Sequence, residues 1–170
     1  MERQQLSRLS PADATVALRS YARRFGELFP DSSDLDTSAL IVPGPSGWSV
    51  ASLLRTTEGH LRDIDEAIRT TLTCDEPELR APLLDRPKPP DNAERGPSRS
   101  ILEALERLVA LLTIMAERIS RTPASDWARK ATVVGRPSDA HELLREAVAF
   151  GRTSLDDMVL ALAHARRTPS

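Results

Sequence analysis

Residues 48–72 read WSVASLLRTTEGHLRDIDEAIRTTL. Within this stretch Val50, Leu54, Thr57, Leu61, Ile64 and Ile68 recur at spacings of three and four, which places them on one stripe of an α-helix. Arg55, Arg62, Glu66 and Arg69 fall on the opposite side. A half-buried strand would alternate with a period of two, so the pattern predicts a helix running to about Leu72, with Ser49 as its N-cap.

Three further segments repeat that pattern. The first opens at Ser10-Pro11-Ala12-Asp13, where serine caps, proline fits the first turn and aspartate meets the exposed amides. It is expected to bury Val16, Leu18, Tyr21, Ala22, Phe25 and Leu28 and to end at Pro30. The third helix runs from about Ser98 to Arg121 on Ile101, Leu105, Leu108, Leu112, Met115 and Ile119, its buried face widened by Leu102, Val109, Leu111 and Ile114. The fourth follows Pro137-Ser138 and reaches about Arg166, burying Leu143, Leu144, Ala147, Val148, Leu155, Met158, Val159 and Leu162. Arg166 and Arg167 suit its negative C-terminal end.

The expectation is an all-α chain folded as a four-helix bundle, one domain spanning residues 1–170. Some 25 residues carrying Pro77, Pro82, Pro87, Pro89, Pro90 and Pro97 separate the second and third helices. That is longer than a tight helical hairpin needs, so it predicts a crossover that lays the third helix parallel to the second. Residues 31–47 and 122–137 are expected to be long loops.

Composition narrows the function classes. The 170 residues are 40% apolar, enough for one sizeable core, and 23 basic against 25 acidic residues leave a net charge of -2. With a pI near 6.0 the chain lacks the basic footprint of a nucleic-acid binder. The longest apolar run, Leu108 to Met115, is broken by Thr113 and is too short for a membrane span. Cys74 is the only cysteine, and the first residues lack a signal-peptide pattern, so a cytoplasmic location is expected. Arginine outnumbers lysine 21 to 2, a high-GC bias pointing to an actinobacterium-like source.

Gly47-Trp48-Ser49-Val50-Ala51-Ser52-Leu53-Leu54 resembles the "Trp-Ser-Val-x-x-Leu-Leu-x-His" opening of the second helix in the DinB/YfiT-like superfamily, which includes metal-dependent thiol S-transferases and mycothiol-dependent maleylpyruvate isomerases. The Ser-Pro-Ala-Asp start, the long connection, the Asp126-Trp127 loop, a final helix opening Gly-Arg-Pro-Ser-Asp-Ala-His-Glu-Leu-Leu-Arg-Glu-Ala-Val and its Leu155-Asp156-Asp157 tract are similar to that family in order and spacing. The resemblance implies a DinB-like bundle whose open end holds a metal between helices two and four. Its three histidine ligands correspond here to Thr56, Phe150 and Ser154. Phenylalanine has no donor atom, and un-ionised hydroxyls are poor ligands for zinc or nickel, so no metal and no other cofactor is expected.

What remains is a polar and aromatic set around that vestigial position. His60 lies one turn beyond Thr56, where it can serve as acid, base or orienting donor or simply stand on the helix flank. Ser154 and Asp157, three apart on the last helix, are surface neighbours. Trp48 and Trp127 either line a ligand mouth or pack over a bundle end. His141 reads as a local hydrogen-bonding residue and His164 as a partner of the helix dipole. The candidate ligand-binding residues are therefore Thr56, His60, Phe150, Ser154, Asp157 and Trp48, with Phe150 expected to be largely buried beside a small apolar cavity. Two readings stay open. One is a metal-free protein that binds or transforms a small molecule there, and the other a non-catalytic module that binds a partner or a second copy of itself as a homodimer.

Overall fold

Ser10 Oγ accepts the Asp13 amide at 3.1 Å while the Asp13 carboxylate accepts the Ser10 amide at 3.1 Å, a reciprocal cap that starts α1 (Pro11–Glu27). Ser49 and Ser52 repeat the arrangement at α2 (Val50–Thr73), and the Asp139 carboxylate accepts the Glu142 amide at 2.8 Å to start α4 (Ala140–Ala165). Together with α3 (Arg99–Arg121) these are the four α-helices among the described residues, which in this computed structural model are 8–29, 39–89 and 99–167. Pro30 and Ser98, the expected helix boundaries, lie outside them, as do Pro90 and Pro97. No helix among the described residues is long and apolar enough to cross a membrane.

Named contacts fix the direction of each helix. Arg107 approaches Glu58 at 3.9 Å and Arg118 bonds to Asp65, so advancing along α2 advances along α3 and the two run parallel. His141 Nε2 donates to the Leu9 carbonyl at 2.6 Å, and Gly151 lies against the Tyr21 ring, so α1 and α4 are also parallel. Ser10 and Thr15 share a cleft with Ile119 and Thr122, which sets α1 antiparallel to α3. The result is an up-down-down-up bundle in which α1 and α2 each pack against both α3 and α4.

The stripes meet in one core. Leu18 and Phe25, Leu54, Leu61 and Ile64, Leu108, Leu112 and Met115, and Leu143, Leu144, Leu155 and Met158 are fully enclosed. Seven expected core residues are not, Val109 and Leu111 among them at half burial. Val16 is 68% exposed and Ile114 52%, and Leu102 and Val159 also face outward, while Leu28 is only half-buried. Each helix presents one stripe to two neighbours, and residues at or beyond its edges stay partly or wholly exposed.

The chain is not strictly all-α. Glu78–Leu79 (β1) pairs in parallel with Lys130–Val133 (β2), and β2 pairs antiparallel with Arg136–Asp139 (β3) in a three-stranded sheet ordered β1-β2-β3. Val134 and Gly135 make the hairpin turn with φ of 49° and 75°, the doubly left-handed geometry that usually recruits Asn-Gly. Pro137 sits on an edge strand, where a missing amide is tolerated. These strands replace part of the expected loops.

Candidate ligand-binding site

α2 and α4 pack antiparallel, and midway along them the His60 imidazole meets the Phe150 ring edge-on, with centroids 4.4 Å apart and planes inclined at 62°. Beside this pair is a cavity of about 150 Å³. Ala149, adjacent to Phe150, and Glu146 and Thr153, one turn to either side of it, line the cavity from α4, and Leu83, Leu84, Asp85 and Arg86 line it from the connection between α2 and α3.

The sheet is what brings that connection here. Thr132 donates its amide to the Pro77 carbonyl at 2.9 Å and Val134 donates to Leu79 at 2.8 Å, anchoring the segment on the hairpin that precedes α4. Leu83 then buries its side chain in the core, the Asp85 amide closes a turn onto Pro82 at 3.2 Å, and the Arg86 guanidinium bonds to Asp157 on α4. Asp85 faces Arg136 at 3.9 Å between two well-exposed side chains, a weak pair.

Burial disfavours the charged form of two groups on this cavity. Burial holds the His60 imidazole below its ordinary titration range, although the Asp63 charge and a hydrogen bond to the Leu83 backbone pull the other way. Burial pushes the Glu146 carboxyl up, and Glu142 adds to the effect against the opposing charges of Arg145 and Arg136. A neutral imidazole can accept a proton, so the site holds a base at pH 7.

The sequence candidates divide around this geometry. His60 and Phe150 come together on the cavity wall, and Asp157 holds Arg86 at its rim. Phe150 is half-buried rather than largely buried, because its ring borders the open space. Thr56 is half-buried one turn before His60, and Ser154 is 2% exposed one turn beyond Phe150; neither lines this cavity. Trp48 is buried at the start of α2 with its carbonyl accepting the Gly44 amide at 2.9 Å, and Trp127 is buried at the opposite end of the bundle. Glu146 and Thr153 were legible in principle, being four before and three after Phe150 on the same helix face. Leu83 to Arg86 carried no such signal.

The residues at the three positions that the resemblance aligns with histidine ligands do not fit a metal. Thr56 and Ser154 offer neutral hydroxyls and Phe150 a phenyl ring, and among the described residues no three His, Cys, Asp or Glu side chains gather as ligands. No family model, curated protein or solved structure matches this chain.

Proposed function

We propose that this protein binds a small molecule in the cavity between α2 and α4, as a divergent, metal-free member of the DinB/YfiT-like superfamily. The observation that carries the reading is the His60 and Phe150 pair beside open space of about 150 Å³, roughly what holds a benzene-sized molecule. Apolar walls from Leu83, Leu84, Ala149 and Phe150 combine there with a few polar groups, the usual make-up of a small-molecule site. The family part of the proposal rests on the motif order and is supported by a bundle in which α2 and α4 pack side by side at the candidate position.

An open cavity favours this reading over a bundle that serves only to bind a partner or a second copy. Two larger clefts, near Trp127 and near Arg121, lack an imidazole. Where the bound molecule is also transformed, His60 is the group suited to take up a proton, and Arg86 and Thr153 are placed to orient polar atoms.

The test is an NMR titration of the full chain, following the His60 imidazole resonances against a panel of small amines, carboxylates, alcohols and thiols at millimolar concentration. Saturable shifts that Phe150→Ala abolishes support the proposal. Unmoved His60 resonances across the whole panel would reject it.

A further inference from the structure

The charges around this cavity are unevenly satisfied. Arg86 is engaged by Asp157, and Arg136 by Asp85. Glu146 is different. Its carboxylate lies half-buried on the cavity wall, and no hydrogen-bond donor or cation stands within bonding distance of it among the described residues. Its oxygens are not sealed from the open space, and Arg145 and Arg136 act on the carboxyl only at a distance, so an ammonium placed there would gain a charge-assisted hydrogen bond.

An anionic ligand meets the opposite situation. To reach Arg86 it would have to displace Asp157, and it would lie beside Glu146 and Asp85, whose charges repel it. Asp63, which acts on His60, and Glu142, which acts on Glu146, add negative charge around the cavity, while Arg145 and Arg136 oppose it at Glu146. A neutral alcohol would satisfy Glu146 with one hydrogen bond, whereas an ammonium offers several together with a full charge.

Resting on the small-molecule reading above, we propose that the ligand is a small primary amine, its ammonium group on Glu146 and its apolar part against Phe150, Leu83 and Leu84. The cavity of about 150 Å³ has room for an apolar part of about one ring or a short branched chain. The Phe150 ring stands next to the ammonium position and can add a cation–π contribution.

Three probes of one shape test this on the full chain at pH 7: benzylamine, benzyl alcohol and benzoate, each titrated against the His60 resonances. Benzylamine is expected to bind about tenfold or more tightly than either of the others. Glu146→Gln keeps the side-chain shape and disturbs no existing bond, so it should fold normally, lower benzylamine affinity about tenfold and leave benzyl alcohol unchanged. Equal or tighter binding of benzyl alcohol or benzoate, or a benzylamine preference that survives Glu146→Gln, overturns the amine assignment while leaving a small-molecule site in place. Failure of all three probes overturns it too, and the wider panel then decides whether the cavity binds anything.

Discussion

The His60 imidazole stands edge-on to the Phe150 ring at 4.4 Å, so an apolar side chain is the neighbour of the one histidine on the cavity wall. The phenyl ring shields the imidazole from water and helps keep it neutral.

His60 should therefore titrate below about 6.5, its ordinary value, in a ¹H–¹⁵N NMR pH series, and Phe150→Ala should move it back toward that value. The linkage has a definite sign. Below about pH 6.5 the unfolded chain takes up the proton before the folded one does, so this contribution is complete above that pH and is lost as pH falls toward the folded value. Urea unfolding of His60→Gln should show a flatter pH dependence there. Glu146 acts in reverse: its folded carboxyl holds its proton to higher pH, so its contribution fades as pH rises from about 4.5 through the raised value.

Two helix glycines should respond oppositely to alanine. A methyl group at Gly151 would sit 3.0 Å from Tyr21 Cδ2, between parallel α1 and α4, whereas one at Gly59 would meet nothing within 4 Å. Alanine gains about 1 kcal/mol in helix propensity at either site, and overpacking at residue 151 costs about 1–3 kcal/mol. Gly59→Ala should stabilise the protein by up to about 1 kcal/mol and Gly151→Ala should destabilise it by about 1 kcal/mol, measured by urea unfolding.

Val134 holds a β-branched side chain at a φ of 49° while 55% exposed, so it adopts a strained backbone without packing in return. Val134→Asn should raise stability by about 1 kcal/mol and the melting temperature by about 2–4 °C. A lower melting temperature would show that the hairpin is not formed as described.

The superfamily reading has its own test. The triple change Thr56→His, Phe150→His, Ser154→His should confer about one equivalent of zinc by elemental analysis, because three imidazoles make a tetrahedral site with one open position. Circular dichroism must show the helices intact. A folded, metal-inert triple variant would place the alignment of those positions in error.

The amino-acid sequence by itself determined the four helices and their buried stripes. Caps at Ser10 and Ser49 and apolar spacings of three and four are local properties that each segment carries whatever it packs against. The long proline-bearing connection also announced the parallel α2 and α3, since only a long path can return the chain to the same end of the bundle. Pairing His60 with Phe150 took the antiparallel register of α2 on α4, which no single segment encodes. The sheet was hidden because β1 has two residues and the hairpin turns on Val134-Gly135 rather than Asn-Gly. Without the sheet, nothing in the order of residues places Leu83 to Arg86 over α4. Tertiary pairing therefore decided the wall of the cavity, and with it which carboxylate, Glu146, faces that space with no hydrogen-bonded or ion-paired partner among the described residues.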